Sequence, residues 1–197
     1  DVVRNLNVSG EVVLNGLSTV RFVAPAGHSF DYTTTTTEAV VIDRGAFDRA
    51  LAERAAAAGA GVVRGRRVIG VEAVPDGVQV TFANANAIRA RAVVLACGAN
   101  YAFQKRLGLG MPSTFLQSAQ LELPADRPGD VEIHFGSEIA PKGFAWAVPV
   151  RRPSGSFARI GLMADGDAGM YFSRMLERVR ERWGVTAGEI DAPRRRM

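Results

Sequence analysis

Apolar positions along this chain recur at two spacings. In the first stretch, Glu11-Val12-Val13-Leu14 and Thr19-Val20-Arg21-Phe22-Val23 read as short strands around Asn15-Gly16, a turn pair that favours a hairpin. Phe30–Thr37 is rich in β-branched residues and reads as an exposed strand or a polar threonine loop. A strand–helix–strand pattern follows. Val40-Val41-Ile42 ends at Asp43, a good N-cap; Phe47, Ala50, Leu51, Ala55 and Ala58 share a helical face, Gly59 closes it, and Gly61-Val62-Val63 resumes an extended chain. Val68–Val74 and Val78–Phe82 flank the turn Pro75-Asp76-Gly77, and Ile88–Arg91 continues the meander. Val93-Val94-Leu95-Ala96 is a continuous apolar run, the pattern of a strand buried on both faces, and a short helix over Tyr101–Leu107 follows it, capped by Asn100 and stopped by Gly108.

The second half alternates. Gln117–Leu123 and Val131-Glu132-Ile133-His134-Phe135 carry period-two polarity, which predicts a sheet with one wet face. Ala145–Val148 and Ala158–Met163 pair across Arg152-Pro153-Ser154-Gly155. An amphipathic helix is predicted over Ala168–Trp183, with Phe172, Met175, Leu176, Val179 and Trp183 on one face and Gly184 as its stop. Strands outnumber crossovers, so most of the sheet must be antiparallel. The expected fold is mixed α+β and α/β: part of a nucleotide-binding domain joined to an antiparallel substrate sheet. Expected divisions are 1–39 (antiparallel strands), 40–110 (the strand–helix–strand piece, meander and buried strand) and 111–197 (the sheet with its amphipathic helix).

Composition narrows this picture. At 47% hydrophobic and 22% charged residues the chain is an ordinary globular sequence, without the run of about 18 apolar residues that a spanning helix needs. It starts without Met and ends just after Arg194-Arg195-Arg196, so it reads as an internal piece of a longer protein. The net charge is +4; apart from Lys105 and Lys142 the lysine and arginine positions are all arginine, scattered except for the Arg194–Arg196 run, which reads as a solvated segment or a cut loop. Nucleic-acid binding, which needs clustered positive charge, is not expected. Cys97 is alone and is expected to be a small buried residue; a reducing, cytoplasmic setting fits. His28 and His134 have no neighbours at metal-ligand spacing, so no metal site is expected.

No Gly-x-Gly-x-x-Gly, Walker loop or Gly-x-Ser-x-Gly elbow is present. Two local patterns invite a chemical reading. Ala96-Cys97-Gly98-Ala99 puts small residues at the end of the apolar run, where a ligand could approach the backbone, or where glycine simply makes a turn. Phe144, Trp146 and Val148 face one way with alanines between them, as the wall of an apolar pocket or as an ordinary core strand.

Taken in order, these segments resemble a known family. Asp43-Arg44-Gly45-Ala46-Phe47-Asp48-Arg49-Ala50-Leu51 is similar to the DR-x-x-FD-x-x-L segment of the geranylgeranyl reductase family of FAD-dependent oxidoreductases, which have the p-hydroxybenzoate-hydroxylase-like flavoprotein fold. The small-residue turn at Ala96–Ala99 recurs there. Phe144-x-Trp146-x-x-Pro149 with Gly161-Leu162-Met163 resembles the family's Tyr-x-Trp-x-Phe-Pro…Gly-x-Gly motif, with Phe144 for Tyr, Val148 for Phe, a longer spacer and Met163 for the last Gly. The resemblance implies a Rossmann-like FAD-binding domain, in part, joined to a large substrate-domain sheet. It implies FAD as cofactor, with Arg44, Ala96, Cys97, Gly98 and Ala99 near it, and an apolar cavity shaped by Phe144, Trp146, Pro149 and Gly161. The implied reaction is hydride transfer from reduced FAD to a C=C bond of a prenyl-type or other apolar polyene, with NADPH or a ferredoxin as electron source. No proton donor is named. Contact with a membrane surface stays open, as do two other readings: a flavin hydroxylase or halogenase of the same fold, and a non-catalytic carrier of apolar ligands. The halogenase signature Trp-x-Trp-x-x-Ile is not found.

Because the glycine-rich pyrophosphate loop is absent from these residues, the 197-residue chain by itself is expected to bind FAD weakly. Titration of the purified chain with FAD checks this; saturation at sub-micromolar concentration would contradict it.

Overall fold

The structure is a computed structural model and describes residues 10–186. The described residues divide into two compact units: one built from those up to Leu51 and from Phe115 onward, the other Ala52–Thr114.

The first unit holds β1 (Val13–Leu17), β2 (Thr19–Val23), β3 (Ser29–Thr33), β4 (Ala39–Ile42), the start of α1 (Arg44–Ala57), β8 (Gln117–Pro124), β9 (Val131–His134), β10 (Phe144–Arg152), β11 (Gly155–Ala164) and α3 (Ala168–Trp183). Six strands form one sheet in the order β3-β2-β9-β10-β11-β8, antiparallel except for the parallel β2–β9 contact. β1 and β4 pair separately as an antiparallel ribbon.

The core lies between this sheet and α3. Ala145, Ala147, Ala158, Ile160, Leu162 and Ala164 are fully buried and pack with Phe172, Met175, Leu176, Val179 and Trp183. Four of the sheet positions are alanine, so the larger helix side chains fill the interlayer space at interior density. Helix α3 is bounded as the sequence predicts. Asp167 caps it by accepting hydrogen bonds from the Gly169 and Met170 amides, and Gly184 ends it in the left-handed region at φ 59°.

The wet face predicted for β9 is reversed. Glu132 and His134 are buried beneath α3, while Ile133 and Phe135 occupy the more exposed opposite face. Burying a carboxylate is costly unless it is hydrogen-bonded and paired, and here it is both. Glu132 Oε1 accepts from Arg182 (3.0 Å) and Trp183 Nε1 (3.2 Å); Oε2 accepts from Arg182 (2.7 Å) and His134 Nε2 (2.8 Å). Burial disfavours its charge, yet the bonds from His134 and Arg182 outweigh that and hold its carboxyl down at about 2.

The second unit contains β5 (Val68–Val74), β6 (Gly77–Phe82) and β7 (Ala85–Ala90), an antiparallel meander as expected, and the short helix α2 (Ala102–Arg106). Arg106 docks α2 by donating to the Ile69 carbonyl (3.0 Å).

Four further expectations are corrected. Asn15-Gly16 lies inside β1 and makes no hairpin between β1 and β2; the Asn15 side chain instead bridges to β10, donating to the Pro149 carbonyl and accepting from the Arg151 amide. Gly61-Val62-Val63 forms no strand, so β4 and α1 are not completed into a strand–helix–strand unit. Val93–Ala96 is exposed coil, with Val94 88% accessible, because no described strand offers its backbone a ladder on either side. Cys97 is exposed rather than buried. Among the described residues no helix is long and apolar enough to cross a membrane.

Removing the Glu132 carboxylate strands Arg182, the Trp183 indole N–H and His134 together. Glu132→Gln is expected to destabilise the chain by about 2–3 kcal/mol near neutral pH. A depressed carboxyl stabilises fully above its unfolded value of 4.5 and loses that contribution as pH falls toward about 2. Urea melts of wild type and variant across that window therefore converge on acidification; a gap independent of pH would contradict the assignment.

Candidate functional site

Alternation along β10 turns Ala145 and Ala147 into the core and Phe144, Trp146 and Val148 onto the far face of the sheet. The strand registers place a continuous row of residues across that face. Phe30 on β3 lies opposite Phe22 on β2, Phe22 opposite Ile133 on β9, Ile133 opposite Trp146 on β10, and Trp146 opposite Gly161 on β11. Phe22 and Phe30 stack at 5.0 Å between ring centroids, Phe22 and Phe135 at 6.3 Å, and Phe144 and Trp146 meet at 5.7 Å with a 52° tilt. Gly161 is buried, the Phe22, Ile133, Phe144 and Trp146 side chains are half-buried, and Phe30, Tyr32 and Phe135 are exposed.

Gly161 permits the position of Trp146. A Cβ there would stand 2.5 Å from Cζ2 of the Trp146 indole, so the ring lies flat over the glycine. The indole is thus held as a planar plate on the open face of the sheet, half-buried, with Phe144 beside it.

A charged network borders the plate on the same face. Arg152 is bonded to Glu122 and donates to Asp43 (3.0 Å), and Arg159 donates to Glu122 (2.9 Å). Burial disfavours the Glu122 charge, but Arg152 and Arg159 prevail and hold its carboxyl below the usual range. The Ala46 amide and then Arg152 do the same for Asp43, which also caps α1 through that amide at 2.9 Å. This ties the Asp43-Arg44 segment to β10 through the neighbouring aspartate.

The remaining singled-out residues are placed as follows. Arg44 is exposed and pairs with Asp48 one turn along α1 (2.7 Å). Ala96, Cys97, Gly98 and Ala99 form an exposed turn of the second unit, with Gly98 at φ 60°. No atom lies within 4 Å of the point a Gly98 Cβ would occupy, so the backbone there is open to approach. Pro149 lies opposite the buried Ala158, which places it on the helix side of β10 rather than beside Trp146. The structure therefore brings Phe144, Trp146 and Gly161 together on one face. Glu132, Glu122, Arg152 and Arg159 were not singled out from the sequence; charges that pair across 30 to 50 residues of chain leave no local signal. On the helix side, a cavity of about 250 Å³ is lined by Arg21, Arg127, Asp130, Glu132, Arg182 and Trp183, but Arg21 is bonded to Asp31 and Arg182 to Glu132.

The chain is 35% identical over 129 residues to a digeranylgeranylglycerophospholipid reductase of Methanoculleus marisnigri, covering 55% of this chain and 30% of that protein. It is 31% identical over 148 residues to the protein of the same name from Methanocaldococcus jannaschii, covering 71% and 37%. Over these residues the chain is similar to geranylgeranyl-type reductases. It spans about a third of the length of the curated relatives it matches. No family model matches it. In fold it is similar to the flavin-dependent brominase Bmp2 (TM-score 0.66, 14% identity, 95% of this chain and 53% of that one). It is also similar to the halogenase PltM, solved with phloroglucinol and FAD (TM-score 0.62, 16% identity, 89% and 41%). The mixed flavoprotein fold expected from the sequence is thereby shown; at these identities the likeness concerns fold alone.

Gly161→Ala is expected to displace the Trp146 indole and cost about 1–3 kcal/mol through overpacking. Tryptophan emission and a urea melt of the variant check this; an unchanged spectrum with unchanged stability would mean that the ring does not rest on Gly161.

Proposed function

We propose that this chain is the substrate sheet, with a portion of the flavin-binding domain, of an FAD-dependent oxidoreductase that reduces carbon–carbon double bonds in a prenyl-type or other apolar polyene. The observation that carries this reading is the Trp146 plate on a sheet face from which β9 has withdrawn both its polar side chains. A face of this kind takes up apolar area without demanding hydrogen bonds, worth roughly 25 cal/mol per Å² buried. The names of the two sequence relatives support the prenyl-lipid class.

FAD, when bound, supplies the hydride chemistry. The residues present fit such a group in two separate places. Arg44 offers an exposed guanidinium that bonds to Asp48 through Nε, and the Ala96–Ala99 turn offers an open backbone at Gly98. In this reading residues 40–110 supply the flavin-binding portion. The part played by the sheet is to hold the alkene flat, exclude water and keep charge away from it: Trp146 and Phe144 supply the wall, Gly161 sets its depth, and the Arg152–Glu122–Arg159 network keeps its own charges mutually bound at the border. NADPH or a ferredoxin would deliver electrons. The apolar substrate implies contact with a membrane surface, and the lone exposed Cys97 fits a cytoplasmic setting.

In the flavin-loaded full-length protein, Trp146→Ala is expected to lower kcat/KM for a polyprenyl alkene by about tenfold or more while leaving FAD affinity nearly unchanged. Steady-state turnover alongside flavin titration checks this. Loss of flavin alone, or equal loss of both, would remove Trp146 from the substrate wall.

A further inference from the structure

The row that contains Trp146 does not stop at β10. It continues through Ile133 and Phe22 to Phe30 on the edge strand, three strand spacings beyond the indole, or about 14 Å at the usual distance between strands. Phe135 stacks on Phe22 beside it, and Tyr32 stands on the same face two residues from Phe30. The charged residues of the β2–β3 ribbon are kept off this face: Arg21 and Asp31 lie opposite each other on the helix side, bonded at 2.7 and 2.9 Å. The outcome is an uncharged track from Trp146 to the sheet edge, ending in rings that are 65% (Phe30) and 58% (Tyr32) accessible. Aromatic groups so exposed, and contiguous with a proposed substrate wall, mark a binding surface rather than a core.

We infer that the Phe22–Phe30–Phe135 cluster receives the distal end of the substrate's apolar chain and sets the chain length the protein prefers. The inference rests on the reading of the sheet as a substrate wall and adds a specificity determinant to it. A short chain ends near Trp146 and Ile133 and never reaches the cluster. A long one crosses β9 and β2 and buries its last units against Phe22 and Phe30. These residues therefore act on long substrates alone.

The test uses the flavin-loaded full-length protein with geraniol, farnesol and geranylgeraniol as probes, comparing wild type with Phe30→Ala, Phe30→Leu and Phe22→Trp. Phe30→Ala is expected to lower kcat/KM for geranylgeraniol by about tenfold and to leave geraniol within about twofold. Phe30→Leu, which keeps an apolar side chain in the ladder, is expected to fall between the two. Phe22→Trp, which adds bulk in the track, shifts preference toward the shorter alcohols. A variant that loses all three substrates by the same factor, or none, overturns the inference while leaving the wall at Trp146 intact. So does a variant that changes only association with phospholipid vesicles, which would make the edge a membrane contact. Wild-type protein that turns over none of the three alcohols overturns the reading of the wall itself, and the inference with it.

Discussion

The Glu132 carboxylate is the constraint on which the two faces of the sheet depend. Its four hydrogen bonds join β9 to the last turn of α3 through Arg182 and Trp183, and to its own strand through His134. An ionised carboxylate cannot be left beneath a helix without such partners, so the register of β9 is strongly specified. A slip of one residue would carry Glu132 to the open face and bury Ile133 in its place. Because β9 sits between β2 and β10, its register also decides which residues stand beside Trp146 and Phe22. The polar anchor on one side and the aromatic track on the other are two consequences of one alignment.

This explains which parts of the molecule were legible in the sequence. Helix α3 announces itself: a 3.6-residue period, an aspartate before it and a glycine after it all agree, and the structure has it over the predicted Ala168–Trp183. β10 and β11 are equally plain, because alanines alternating with bulky residues divide into faces without knowledge of the partner. β9 was misread for a physical reason. Period-two alternation says that two faces differ; it does not say which is wet, and polar residues were assigned to water because that is their usual place. Only Arg182 and Trp183, fifty residues on, reverse the assignment, and no local pattern contains them. Val93–Ala96 shows the complementary limit: a continuous apolar run states that burial is wanted, but not against what.

The candidate site divides in the same way. Phe144 and Trp146 were visible as neighbours at strand spacing, and Gly161 entered through a family motif; the registers then put glycine and indole on top of each other. That contact gives the motif a mechanical meaning. Glycine at that point is what lets a large planar ring lie against the sheet instead of standing away from it. The charged network from Asp43 through Arg152 to Glu122 and Arg159 had no signal of its own, since it joins four segments that the sequence keeps apart.

Fold similarity concerns the scaffold alone, so the proposed chemistry rests on sequence similarity and on the character of the sheet face. The brominase and the halogenase, at 14% and 16% identity, speak for a shared scaffold. The sequence relatives, at 31–35%, are prenyl-lipid reductases. A compact aromatic substrate needs a confined pocket with polar groups to fix one orientation, since a small molecule has little area to bind with. A polyprenyl chain needs the reverse: length, flatness and few polar groups, so that affinity accumulates along it. The row from Gly161 to Phe30 carries no charged residue across five adjacent strands; Arg21, Asp31 and Glu132 lie on the helix side, and Arg152 and Arg159 are held in pairs at the border. An extended surface of that composition has little with which to orient a small polar ring and much with which to hold a long chain.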